Sequence, residues 1–165
     1  MKKRTRKVMV LVDYDNINIS ASEEGKIIDL KAIIEKCLEF GTIEFAFLFA
    51  SQRNFENSMG SRTDLPMDAH NNGFIPVVCP GTIVQDGELK QKDKVDSIMI
   101  NLARKYLQTS LIDSVVIVSH DEDFLPLAND FRFKRKQVIV MAGEKSYFLK
   151  QAVDFHVVLP MKNKI

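Results

Sequence analysis

Val8-Met9-Val10-Leu11-Val12-Asp13 is five apolar residues closed by an acid, and the chain repeats the device at Val115-Val116-Ile117-Val118-Ser119-His120-Asp121-Glu122-Asp123. Unbroken apolar, β-branched runs of this length read as strands buried on both faces, the mark of a parallel sheet. Working outward, residues 43–50, 74–79 and 137–142 read as further buried strands. Residues 28–38, 94–108 and 123–134, and more weakly 62–72, carry apolar residues at helical spacing. Asp29 is placed as the N-cap of the first of these helices and Gly41 as its stop. Residues 80–92 read as an exposed loop or short hairpin. Strands alternating with helices predict a three-layer α/β/α architecture around a mostly parallel, doubly wound sheet. A strand order of 3-2-1-4-5 sets the first and fourth strands side by side. Asp13 then lies next to Asp121, and the crossover helix over 94–108 brings Asp96 to the same edge.

The 165 residues suit one domain with one sizeable core, so a single domain over 1–165 with a basic tail at about 1–6 is expected. Hydrophobic residues at 45% and charged residues at 27% argue against disorder and against a membrane protein. The net charge of +1 hides two basic clusters, Lys2-Lys3-Arg4-Thr5-Arg6-Lys7 and Arg132-Phe133-Lys134-Arg135-Lys136. Such clusters attract phosphate backbones, or are simply solvated chain ends and helix-terminal cations. Cys37 and Cys79 suggest neither a disulfide framework nor a zinc knuckle, which makes a reducing compartment the default. Asp13 and Asp15 interrupt the apolar start too early for a signal peptide, and no stretch is long enough to span a bilayer. The expected location is cytoplasmic, with no membrane partner. Oligomeric state is open: apolar residues of the 55–80 region serve either the core or a homodimer interface.

Each acid has a structural reading beside the functional one. Asp123, before Phe124-Leu125-Pro126, reads as a helix N-cap. Asp96 reads as the third residue of a helix capped by Asp93, Asn16 as an Asx-turn, and Asp15 as an exposed loop acid. Asp13 and Asp121 resist such readings, because an acid ending an apolar strand is costly unless it is bonded, paired or metal-bound. Two carboxylates roughly 5 Å apart repel by about 3 kcal/mol at an effective dielectric near 20. A cluster of Asp13, Asp96, Asp121 and Asp123 therefore needs a cation, or keeps some members protonated. Carboxylate oxygens without cysteine or paired histidines favour Mg²⁺ or Mn²⁺ over zinc.

Val10-Leu11-Val12-Asp13-Tyr14-Asp15-Asn16-Ile17 resembles the Asp-x-x-Asn motif that opens NYN domains, the LabA-like branch of the PIN-like nuclease superfamily. Lys94-Val95-Asp96 resembles that family's lysine and valine-aspartate step at a helix start. Val118-Ser119-His120-Asp121-Glu122-Asp123-Phe124 resembles its Ser-Gly-Asp-x-Asp-Phe segment, and Lys136-Gln137-Val138-Ile139-Val140 continues into the expected next strand. The likeness runs from about Lys7 to Ala142.

The resemblance implies a PIN-like fold and a metal-dependent ribonuclease hydrolysing RNA phosphodiester bonds. Carried over by residue, Asp13, Asp96, Asp121 and Asp123 form the catalytic and metal-binding acids. Asn16 and Ser119 are polar neighbours on the substrate side, Asn16 orienting water or a phosphate oxygen, and Lys94 either binds a neighbouring phosphate or is a solvated lysine at the helix start. Tyr14 and Phe55 are candidates for base stacking. Two departures stand out. His120 occupies a position where the family usually has glycine, which narrows the mouth or adds a substrate contact. Further down the helix from Asp96, where the family often has another acid, this chain has Asn101 and Leu102. That gap keeps a second reading open, a catalytically weak or inactive module binding RNA or protein. A third reading, a haloacid-dehalogenase-like phosphatase, rests on Asp13-Tyr14-Asp15 after a strand, but fits Asp96 and Asp121-Glu122-Asp123 less well.

Overall fold

The structure, a computed structural model, describes residues 4–60, 64–80, 82–91, 95–143 and 153–164. Its centre is the first quoted run. Strand β1, Lys7–Asp13, pairs in parallel with β3, Thr42–Ser51, on one side and with β7, Ser114–Val118, on the other. Beyond β3 lies β4, Ile75–Cys79, and beyond β7 lies β8, Gln137–Ala142, both again parallel. The five expected strands therefore stand in the order 3-2-1-4-5. A sixth strand, outside the expectation from sequence, is β9 (Phe155–Val158), which adds a parallel edge beside β8. Two short antiparallel pairs complete the strands: β2 (Lys26–Ile28) with β10 (Met161–Asn163), and β5 (Thr82–Gln85) with β6 (Glu88–Gln91). The latter is the hairpin option for residues 80–92, turned by Asp86 and Gly87 at φ 54° and 76°.

Alternation along β1 sorts the core into two layers. Val8, Val10 and Val12 face a cluster formed with α1 (Tyr14–Glu23), α2 (Leu30–Cys37), α3 (Gln52–Ser58) and α4 (Leu65–Asn71). Met9 and Leu11 face the other cluster, formed with α5 (Val95–Arg104) and α6 (Leu125–Phe133). Helices thus cover both faces, which is why the central strands carry almost no polar residue. Cys37 and Cys79 are free and buried in these layers. The 55–80 region divides: Phe55, Leu65, Ala69 and Phe74 belong to the core, while Met59, Met67, Ile75 and Val78 are exposed. Core burial of Phe55 corrects its reading as a stacking group. No helix among the described residues is long and apolar enough to cross a membrane.

Several boundaries differ from expectation. Helix α1 leaves no apolar period in the sequence, because only Ile17 and Ala21 of its ten residues are buried. Helix α5 closes at Arg104 rather than Gln108, its last turns tightening into i→i+3 bonds such as Tyr106 N–H to Ala103 O. Asp29 does cap α2, accepting from the Ala32 N–H at 3.0 Å. Gly41 does more than stop a helix. Its φ of 152° lies where L side chains are strained, and a Cβ there would stand 2.2 Å from the Arg6 carbonyl oxygen. Gly41→Ala should cost about 3 kcal/mol or more, since such backbone alone costs on the order of 1–3 kcal/mol before the clash is counted. Urea unfolding measures this, and a loss within error of zero would contradict the geometry.

Candidate active site

The alternation that sorts the core also builds the site. Asp13, the last residue of β1, falls on the same side as Met9 and Leu11, toward α5 and α6. Val12 pairs with Val118, so the next residues, Asp13 and Ser119, stand side by side at the carboxyl edge of the sheet. Ser119 is buried, and its hydroxyl donates to Asp13 Oδ2 at 2.9 Å. The Asp121 N–H donates back to Ser119 Oγ at 3.1 Å, tying the loop after β7 to the same hydroxyl.

That loop is shaped by its own acids. Asp121 Oδ1 accepts from the Asp123 N–H at 2.9 Å, capping a short 3₁₀ turn over Glu122–Phe124 that runs into α6. The cap is therefore Asp121, not Asp123 as the sequence suggested. Released from capping, Asp123 stands exposed. Asp96 lies in the first turn of α5 and accepts from the Ser97 N–H at 2.9 Å. Asp96, Asp121 and Asp123 bring one carboxylate oxygen each within 4.8 Å of one another. Asp13 lies deeper, outside that trio but within its field.

The electrostatics follow from this crowding. Asp13 is 3% exposed, and burial pushes its carboxyl up to about 7; the Ser119 hydroxyl opposes the rise, while Asp121, Asp15 and Asp96 add to it. Asp96 is also raised, first by desolvation, against its backbone bond to Ser97, and then by its close neighbours Asp123 and Asp121. Among the described residues no ion pair reaches any of the four acids. An all-carboxylate donor set lacking cationic relief fits a hard divalent cation.

The polar neighbours are fixed by long-range contacts. Asn16 makes no Asx-turn. Its Oδ1 accepts from the His120 N–H at 2.8 Å and lies 3.3 Å from Ser119 Oγ, clamping α1 to the loop after β7. Asp15 is no loose loop acid either: it accepts from the Ser51 N–H at 3.1 Å and from Asn54 Nδ2 at 2.6 Å, bracing the end of β3 beside Asp13. Tyr14 is half-buried against the core, and burial first, then Asp68 and Asp15, push its hydroxyl up to about 12.

His120 follows Ser119 and so turns to the opposite face. Its Nε2 accepts from the Gly143 N–H at 2.7 Å, and its Nδ1 lies 3.4 Å from Ser20 Oγ. Those partners assign the neutral Nδ1–H tautomer and place the ring against α1 and the end of β8. A Cβ at Gly143 would come within 3.0 Å of Nε2, so this close approach depends on a glycine that no motif in the sequence marks. Lys94 lies outside the described residues, as does Asp93. Asn101, where the family's further acid was expected, is exposed on α5.

A model of the NYN domain matches residues 7–159. The chain belongs to the NYN domain family. NYN domains form part of the PIN-like nuclease superfamily, and the acids at the carboxyl edge of this one are compatible with that membership. A crystal structure of a Vibrio parahaemolyticus protein of unknown function is similar throughout, with a TM-score of 0.75 and 20% identity over 97% of this chain and 96% of that one. That likeness concerns the fold. A search of curated proteins found no match to the chain.

Proposed function

We propose that this NYN domain is a metal-dependent ribonuclease of the LabA-like branch, hydrolysing RNA phosphodiester bonds at Asp13, Asp96, Asp121 and Asp123. The observation that carries the proposal is the meeting of Asp96, Asp121 and Asp123 within 4.8 Å, beside a buried Asp13 with no cationic partner among the described residues. Those four side chains would hold Mg²⁺ or Mn²⁺. When bound, the cation supplies charge stabilisation on the phosphate and lowers the pKa of water near the site.

The rest is the work of the chain itself. Asp13 is positioned by the Ser119 hydroxyl, and Ser119 by the Asp121 N–H, so the deepest acid is fixed before substrate arrives. Asn16 locks the loop that carries Asp121 and Asp123. Asp123, the most exposed of the acids, is the residue placed to take a proton from the attacking water. The water oxygen bonds to phosphorus and its proton passes to the Asp123 carboxylate, while the phosphorus–oxygen bond to the ribose breaks and the leaving oxygen takes a proton from solvent. RNA is the substrate on family grounds, because NYN nuclease domains act on RNA.

The test is cleavage of end-labelled single-stranded and hairpin RNA by the purified protein in Mg²⁺, Mn²⁺ or chelator. Cleavage that requires metal supports the proposal. Binding without cleavage would replace it with a regulatory module, the reading that exposed Asn101 in place of a further acid favours.

A further inference from the structure

Because β1, β7 and β8 are parallel, their amino ends form one edge of the sheet, and Arg6, Asp113 and Lys136 stand immediately before them. Two adjoining cavities of about 420 and 310 Å³ open there, both lined by Arg6, Arg135 and Lys136, with Arg4 and Lys134 in one and Arg132 in the other. Three of these cations are engaged. Arg4 lies 3.9 Å from Asp113, Arg132 lies 3.7 Å from Asp154, and Lys136 Nζ donates to the carbonyls of Thr109 and Ile112. The side chains of Arg6, Lys134 and Arg135, three exposed residues, have no acid or hydrogen-bond partner among the described residues. The end of α6 accounts for Lys134 and Arg135 as dipole partners, but not for Arg6, which comes from another element.

Phe133 decides what the patch is for. It lies between Arg132 and Lys134 in the last turn of α6 and is 85% exposed, more than any other large apolar side chain described. An aromatic ring left in water next to Lys134, whose side chain is unpaired among the described residues, and close in sequence to Arg135 is the chemistry of single-strand binding: the cations neutralise phosphate and the ring stacks a base. We propose that this edge is a second binding site for single-stranded RNA, with Arg6, Lys134 and Arg135 on the backbone and Phe133 under a base. The inference deepens the ribonuclease reading and rests on RNA being the substrate. Six residue steps along β1 separate Lys7 from Asp13, roughly 20 Å at strand rise. Only RNA long enough to cross from edge to edge reaches both sites, so the enzyme favours long single strands over short oligonucleotides.

Fluorescence anisotropy in chelator tests this without cleavage, using labelled RNAs too short and long enough to span the sheet, and a duplex RNA. The combined variant Arg6→Gln, Lys134→Gln, Arg135→Gln should lower the salt slope for long RNA by about 2, near 0.7 per lost contact on a single strand. Phe133→Ala should weaken long single-stranded RNA about 5- to 100-fold and leave the duplex unchanged. Cleavage of the short RNA should be the same in all forms. These side chains are exposed, and circular dichroism checks that folding is intact. An unchanged salt slope, or an equal Phe133→Ala loss on duplex, would each overturn the proposal. Absence of cleavage alongside intact long-RNA binding would instead count against the ribonuclease reading alone.

Discussion

Asp13→Asn is expected to be more stable than the parent protein in chelator at pH 8, and to cleave RNA at least about a hundredfold more slowly. Mutating a catalytic acid usually reads as simple loss, whereas the burial of Asp13 predicts a gain as well. Its carboxyl titrates at about 7 in the folded chain, against 3.8 for a free aspartate, because burial penalises the anion and Asp121, Asp15 and Asp96 repel it. The folded state therefore holds its proton more tightly than the unfolded state does. Between about pH 4 and pH 7 the folded state binds more protons, so stability falls as pH rises and the full cost is present above pH 7. A rise of that size corresponds to a ceiling on the order of 4 kcal/mol, or roughly 10 °C in Tm for a chain of this size. Asparagine keeps an oxygen able to accept the Ser119 hydroxyl and carries no charge, so it removes the cost without emptying the site. Thermal melts of both proteins from pH 5 to 8 in chelator decide the matter. Parallel profiles would show that Asp13 is not ionising under strain. The hundredfold loss of cleavage corresponds to about 2.7 kcal/mol of transition-state stabilisation, modest for removing a metal-holding carboxylate.

How far the sequence could be read follows the physics of each element. The five core strands were legible because burial on both faces leaves a run such as Val115-Val116-Ile117-Val118 no other plausible place. Their order was legible because short right-handed crossovers leave few topologies. Strand β9 was not, since Phe155 and Val158 are half exposed and its place beside β8 is set by pairing rather than pattern. Helix α1 was hidden for a related reason: a polar stretch with two buried residues is held by what it packs against. Site residues divide in the same way. Asp13 and Asp121 drew notice because one ends an apolar strand and the other follows one after only two residues. The clamp from Asn16 to His120 and the brace from Asp15 to Ser51 span 104 and 36 residues, distances over which no local pattern carries information. His120 was read as narrowing the mouth or touching substrate, but its ring lies against Ser20 and Gly143 instead. The glycine it leans on, Gly143, lies 23 residues further along and shows its purpose only in the folded chain.

The trio of Asp96, Asp121 and Asp123 predicts an opposite pairing of effects at the metal. Added Mn²⁺ or Mg²⁺ should raise the Tm of the parent protein, by the equivalent of roughly 2.7 kcal/mol at a hundredfold excess over Kd. Asp96→Asn should lose most of that increment while melting no lower than the parent in chelator, because the group removed is one its neighbours already repel. Its neighbours oppose the ionised form of Asp96 and a bound cation favours it, so metal binding should release protons and weaken as pH falls. Asp123→Asn removes a second donor of the same trio, and the two substitutions should combine with less than additive effect on metal affinity. Isothermal titration calorimetry in two buffers of different ionisation enthalpy counts the protons released. Binding with no proton release and undiminished in Asp96→Asn would place the cation elsewhere, and the acids at the carboxyl edge would then need another partner to explain why a folded chain gathers them.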